Sequence, residues 1–369
     1  MTWRAALFQG HPIDEAALGG TNNFNLLRLF AAVLVLYSHS YYLLDRGQQE
    51  PVGAWSGWFD ASVLGVSIFF FISGFLVCRS WDARRDPLSF LIARLLRIAP
   101  AYWCVLLAVA LVLGPAMTTH ALADYVRDAD TWKYVVYGAV VHVQYLLPGV
   151  FEHALAPGVN GSLWTVRLEV ALYLMLLIAG LLASSEAAGS VLADRHRWAG
   201  PAVRGLLLFV WLLLLVKVAF AGPGYYRLTG YFVFGATCYR LRALCILHPG
   251  WALLLAGAAI AFVGSWIGPV MIPMAVAYLV LTLALHPELR LPSGWLHRND
   301  YSYGLYLYGF PVQQTLVAAG FSTPVAVLGW ALPVTLCCAA LSWHLVERRL
   351  LARKSAIIDR IRARWIVRG

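Results

Sequence analysis

The chain has 369 residues, 61% of them hydrophobic and only 12% charged, with a mean hydropathy of +0.70 and a formal net charge of +10. Soluble globular domains carry about 25% charged residues, so this composition excludes one and implies a polytopic membrane protein. The positive charge would admit a nucleic-acid partner, but basic cytoplasmic loops are its first explanation in a membrane protein, and the placement of the charges decides.

Apolar runs fall at 24–44, 61–79, 98–114, 131–147, 163–183, 204–221, 227–244, 251–267, 269–285, 302–320 and 325–346. The residues before the first run lack the apolar core of a signal peptide, so that run is expected to stay as an uncleaved span. The run at 131–147 is short and carries Lys133, His142 and Gln144. Its neighbours arbitrate. Arg79, Arg84, Arg85, Arg94 and Arg97 mark the connection after the second run as cytoplasmic, and Arg195, Arg197 and Arg204 do the same for 184–204. An even number of crossings must separate these connections, and the runs at 98–114 and 163–183 already supply two. The run at 131–147 therefore reads as a non-spanning or re-entrant helix on the outer side. The expected fold is all-α, with about ten transmembrane helices.

This alternation puts Arg240, Arg242, Arg290 and Arg298 inside, together with a tail holding Arg348, Arg349, Arg353, Lys354, Arg360, Arg362, Arg364 and Arg368. Only Arg46, Arg127, Lys133 and Arg227 fall outside. Both termini are thus expected in the cytoplasm, and the net charge is accounted for without nucleic acid. The expected organisation is a cytoplasmic segment 1–21, a membrane domain 22–347 and a basic tail 348–369 suited to a membrane surface. The cysteines (Cys78, Cys104, Cys238, Cys245, Cys337 and Cys338) show no CxxC spacing, so neither a metal site nor a disulfide framework is expected.

Ionisable residues inside spans are costly and mark function by default. The first run holds Arg28 near its start and His39 deep inside. On a helix, eleven residues turn through about three turns plus 20°, so the two share a face about 16 Å apart along the axis. Tyr37, Ser38, Ser40 and Tyr41 surround His39 with hydroxyls. Glu169 lies inside another span, and a buried carboxylate needs a partner such as a histidine or arginine; a histidine oriented by a carboxylate is the layout of a general base. Arg94 and Arg97 share a helix face at i, i+3, where they serve either as inside-positive anchors or as a fork for phosphates. Ser73-Gly74 in the second span reads first as a close packing point. Asn160-Gly161-Ser162-Leu163-Trp164 reads as a helix cap with an aromatic anchor, and Asp300 as a second cap before a stripe of tyrosines.

Together these marks resemble the acyltransferase-3 family of integral membrane acyltransferases. They are Arg28 and His39 in the first span, Phe69 to Leu76 in the second, and Arg94-x-x-Arg97 before Pro100 and Tyr102. Ser162 to Thr165 with Glu169, Ser302 to Leu307, and Glu347 after the last span complete the set, which covers residues 22 to 347. The resemblance implies transfer of an acyl group, usually acetyl, from cytoplasmic acyl-CoA to a hydroxyl of a carbohydrate or glycolipid at or beyond the outer face of the inner membrane. No bound cofactor is implied; acyl-CoA is the donor substrate. Arg28, Arg94 and Arg97 would hold CoA. His39 would deprotonate the acceptor or carry the acyl group as acyl-imidazole, and Glu169 would orient it or relay its proton. Tyr37, Ser73, Trp164, Ser302, Tyr303 and Tyr306 are the substrate contacts this reading expects. Many members carry a histidine after the Tyr-Leu-aromatic triplet, where this chain has Gly309; any such role is absent here or falls to Tyr306, Tyr308 or Gln313. A fused periplasmic hydrolase-like domain, frequent in the family, is not expected.

Two rival readings share the composition. A multi-pass transporter or flippase would also bury charges, and Pro269 and Pro273 do interrupt one run, but no inverted repeat is evident. A sensor whose basic tail binds anionic lipid would call for a signalling domain, and none is evident.

Overall fold

The structure is a computed structural model that describes residues 9–13, 18, 22–189, 224–291, 294 and 299–366. In hydrocarbon every backbone N–H and C=O must be satisfied within its own segment, which favours helices, and the apolar runs form them. In chain order these are α1 (Phe24–Tyr42), α2 (Ala61–Asp82), α3 (Pro87–Met117), α4 (Ala129–Ala139), α5 (Trp164–Gly189), α6 (Gly224–Arg240), α7 (Pro249–Ala261), α8 (Gly268–Leu285), α9 (Ser302–Ala318), α10 (Pro324–Ala352) and α11 (Lys354–Ile366). Among the described residues, the only strands are a two-residue antiparallel pair, β1 (His11–Pro12) and β2 (Ile246–Leu247).

Five described helices are long and apolar enough to cross a membrane: α2, α3, α8, α10 and residues Trp164–Leu181 of α5. Helices α1, α6, α7 and α9 occupy further predicted runs but are shorter or more polar. The predicted span at 204–221 lies outside the described residues, as does most of segment 1–21. Helix α4 has 11 residues, about 16 Å of helix, which is half the thickness of a bilayer core. Two helices extend beyond their apolar runs. Helix α3 begins at Pro87, so Arg94 and Arg97 stand within it. Helix α10 runs through a π turn at Trp343–Glu347 and on to Ala352, so Glu347 also lies within a helix.

The chain divides into two compact units. The first takes Met1–Phe24, Ser67–Phe90 and Leu168–Pro292. Its helices meet through glycine: a Cβ on Gly74 of α2 would overlap the carbonyl of Phe232, and one on Gly235 of α6 would overlap the carbonyl of Phe71. The Ser73-Gly74 break is thus a backbone-to-backbone contact. Aromatic rings fill the space around it, Phe75 lying 5.5 Å from Tyr239 and 5.8 Å from Phe24. Asn23 ties the start of α1 to the end of α8; its side-chain amide donates to the carbonyls of Leu283 (2.8 Å) and Leu289 (2.7 Å) and its oxygen accepts from Leu291 N–H.

The second unit takes Asn25–Val66, Leu91–Arg167 and Ser293–Gly369. Prolines inside its helices leave carbonyls without donors, and buried side chains answer them. Pro311 in α9 leaves Leu307 O unpaired, and the fully buried Asn160 donates to it at 2.9 Å. In the π turn Val109–Leu113 of α3 the partner of Ala110 O would be Pro115, which has no N–H; Tyr125 Oη donates instead at 2.7 Å. Close contacts again use small residues: Gly65 lies against the carbonyl of Ala31, Gly304 against Ala339, and Gly309 against Leu36.

Gly74→Val and Gly235→Val each force a side chain into a neighbouring backbone and should destabilise the fold by about 3 kcal/mol or more. Gly329→Ala in α10 meets no atom within 4 Å and should be neutral or slightly stabilising. The monodisperse fraction on size-exclusion chromatography in mild detergent, read with a thermal ramp, separates the two outcomes.

Candidate active site

The second unit gathers charge at one carboxylate. Asp300 sits just before α9, nearly buried, and its Oδ2 accepts from Arg28 Nη1 of α1 at 3.2 Å and Arg97 Nη2 of α3 at 2.6 Å. Its Oδ1 accepts from the backbone N–H and the hydroxyl of Ser302, the first residue of α9, while the N-cap position itself falls to Tyr301. Burial alone would push the Asp300 carboxyl up; the Arg97 and Arg28 guanidiniums and the Ser302 bonds outweigh it and hold it at about 2. Two guanidiniums on one carboxylate leave a net positive site, and Asp300 engages one N–H donor of each fork. Arg94 stands one turn before Arg97 on the same helix, half-buried. The segment carrying Asp300 is braced from the other side by the π turn of α10, where Trp343 Nε1 donates to Asn299 (2.9 Å) and Tyr301 pairs with His344 (2.8 Å). In that same turn Glu347 is 1% exposed and accepts from Ser342 at 2.9 Å.

His39 lies eleven residues along α1 from this cluster, about 16 Å up the axis. Its ring stands edge-on to Phe310 of α9, 5.5 Å between centroids. Gly161 makes room for Phe310: a Cβ there would lie 2.6 Å from the ring. Nδ1 of His39 is buried without a hydrogen-bond partner among the described residues, whereas Nε2 is not a buried atom. Asp60 stands just before α2 and is bonded to the last turn of α1. Asp60 accepts from Tyr42 Oη (2.9 Å), Ser62 Oγ (2.6 Å) and Val63 N–H (2.9 Å). Burial pushes its carboxyl up, but the bonds from Ser62, Val63 and Tyr42 outweigh that and hold it below the usual range. Asp60 escaped the sequence reading because it lies outside any apolar run.

The other expected residues divide. Arg28 and Arg97 come together on Asp300, joined by Ser302 and by Tyr303, whose ring lies 5.7 Å from the Arg97 guanidinium. Tyr306 commits its hydroxyl to Ser162 O (2.9 Å) and Thr165 (2.7 Å), which fixes the start of α5 on α9. Tyr37 stacks edge-on with Tyr41 at 5.3 Å, and Trp164 is half-buried at the start of α5. Glu169 and Ser73 belong to the first unit, where Glu169 accepts from Tyr173 and from Ser73 at 3.5 Å, and Ser73 also bonds Tyr173 at 3.1 Å. Gly309 packs on Leu36, which a Cβ would approach to 2.5 Å. Gln313, one turn on, donates to Leu36 O and Ser40 Oγ, each at 2.7 Å.

The helices thus hold a buried cluster of two arginines and one carboxylate, and α1 carries both Arg28 of that cluster and His39. The family model described as an acyltransferase domain, acyltransferase-3, matches residues 21–344, and the chain belongs to that family: it is a membrane acyltransferase. It is 30% identical to "Nodulation protein 10" of Rhizobium leguminosarum bv. viciae, over 95% of this chain and 98% of that protein. It is 31% identical to the "O-acetyl transferase" of Shigella phage Sf6, over 91% of this chain and 97% of that protein. A third relative, "Exopolysaccharide production protein ExoZ" of Rhizobium meliloti, is 31% identical over 33% of this chain and 42% of its own length. No solved structure matches the chain.

Asp300→Asn removes the charge between two guanidiniums and should destabilise the protein by about 3–5 kcal/mol. The folded carboxyl lies at about 2 against an ordinary 3.8, so its stabilisation is complete above pH 4 and fades as pH falls toward 2. The gap in melting temperature between wild type and Asp300→Asn should stay constant from pH 8 to about 5 and shrink below about 4.

Proposed function

We propose that the protein moves an acetyl group, or a related short acyl group, from acetyl-CoA on the cytoplasmic side to a hydroxyl of a carbohydrate or glycolipid at the outer face of the inner membrane. The observation that carries this reading is the pairing of Arg28 and His39 on one face of α1, with Arg97 drawn to Arg28 by Asp300. The cationic end suits the phosphates of CoA, with Arg94 one turn away as a further contact. The histidine suits the far end of a pantetheine arm. The relative named as an O-acetyl transferase supports an oxygen acceptor and acetyl as the group moved, and the exopolysaccharide production protein supports a carbohydrate acceptor. Ten spans with both termini in the cytoplasm, as the placement of basic residues implies, give the donor and acceptor opposite sides of the membrane.

In the general-base route, His39 Nε2 takes the acceptor proton as the hydroxyl oxygen attacks the thioester carbonyl. The C–S bond breaks, and the proton passes to the departing CoA thiolate. In the covalent route, Nε2 attacks first, CoA leaves, and the acceptor hydroxyl displaces imidazole. Glu169, held by Ser73 and Tyr173, is the proposed proton relay. Tyr37, Ser73, Trp164, Ser302, Tyr303 and Tyr306 remain the proposed substrate-binding residues; Ser302 and Tyr303 stand at the arginine end, with the proposed donor head, and Tyr306 acts through the position of Ser162.

Purified protein in nanodiscs with radiolabelled acetyl-CoA tests the reading. His39→Ala should lower turnover at least about a hundredfold while leaving CoA binding intact. Arg94→Ala, chosen because Arg94 is not bonded to Asp300, should weaken acetyl-CoA binding about tenfold with little change in kcat. Glu169→Gln should lower kcat without changing donor binding. A wild-type protein that neither binds nor consumes acetyl-CoA overturns the proposal.

A further inference from the structure

His39 carries no carboxylate hydrogen bond among the described residues, although a base that becomes cationic needs compensation. What the fold offers instead is a fixed negative charge nearby. His39 and Tyr42 stand at i, i+3 on the last turns of α1 and share a face. Tyr42 donates its hydroxyl to Asp60 Oδ2 at 2.9 Å, which holds the carboxylate against the face that carries His39. The other oxygen is occupied by Ser62 Oγ and Val63 N–H, so the side chain cannot swing away. Asp60 also starts α2, and its bond to Val63 N–H is a helix cap. The same turn is closed on the other side by Glu50, fully buried, which accepts from Gly53 and Ala61 N–H and whose carboxyl burial pushes toward the neutral form. Asp60 therefore supplies the fixed charge of the pair.

We propose that Asp60 is a positioning residue for acyl transfer, its carboxylate stabilising through space the positive charge that His39 acquires when it takes the acceptor proton. The proposal rests on the reading of His39 as the group that takes that proton. A through-space charge suits this site: it compensates the imidazolium during transfer without occupying Nε2, and the proton leaves His39 for the CoA thiolate at the end of the cycle. Asp60 is itself unchanged through the reaction. Tyr42 and Ser62 act one step further back, by fixing where that charge sits.

Asp60→Asn separates this role from the helix cap, because asparagine caps through its Oδ1 as aspartate does, and its Nδ2 can donate to the Tyr42 hydroxyl where Oδ2 accepted, but it carries no charge. In nanodiscs with acetyl-CoA and a soluble glycan acceptor, Asp60→Asn should keep the wild-type melting temperature and KM for acetyl-CoA. Its kcat should fall about tenfold, and the acid limb of the kcat/KM profile should move to lower pH by half a unit or more. Asp60→Glu should recover part of the loss. Tyr42→Phe keeps the cap and the charge but frees the carboxylate, and should show a smaller fall in kcat; it decides the matter should Asp60→Asn fail to fold. An unchanged kcat and pH profile in Asp60→Asn, or in Tyr42→Phe if that variant stands in, with His39→Ala inactive, overturns the role of Asp60 alone. A fully active His39→Ala overturns the His39 reading and this proposal together.

Discussion

The second unit turns on one carboxylate. Asp300 is almost out of water, and an isolated carboxylate there would carry a large desolvation penalty. It is tolerable because two guanidiniums and the first residue of α9 surround it. The dependence is mutual, since Arg28 and Arg97 are each mostly buried and would repel each other without it. One residue thereby fixes the start of α9 relative to α1 and α3. The π turn of α10 then grips the residues on either side of Asp300, so four helices share a single electrostatic anchor.

The same economy governs the backbone. Prolines in α3 and α9 open gaps in helical hydrogen bonding that lipid could not fill. Buried donors close them, Tyr125 at Ala110 and Asn160 at Leu307. These repairs are specific contacts between distant parts of the chain, so each proline fixes a packing partner as well as a bend. Asn160 begins the turn that leads through Gly161 to α5, and Gly161 seats Phe310 beside His39. The surroundings of His39 are thus built partly by a helix irregularity.

Function follows from the separation of two environments along α1. Its first turns meet a pair of arginines around a carboxylate that stays ionised at any working pH. Its last turns meet hydroxyls, an aromatic edge and the capping charge of Asp60. The proposed donor, with an anionic head and a long thiol-ended arm, would meet the arginines with its phosphates and His39 with its thioester. The membership of the acyltransferase family agrees with this chemistry.

Composition and the spacing of apolar runs determined the helical membrane architecture, because hydrocarbon allows few alternatives. The i, i+11 spacing put Arg28 and His39 on one face, and the i, i+3 spacing did so for Arg94 and Arg97, since helix periodicity is a local property. The turn from Asp300 into α9 and the close contact at Gly74 were also legible, being local signals of turn and packing chemistry. What spacing could not reveal was pairing between segments: that Asp300 unites Arg28 and Arg97 across 272 and 203 residues of sequence, or that Tyr42 ties Asp60 to the end of α1. Helix α3 starts at Pro87 because Asp86 caps it by accepting from Ser89 N–H, a local signal outside the apolar run. Local periodicity is written in adjacent residues, whereas charge pairing depends on which helices become neighbours, and only the tertiary structure decided that.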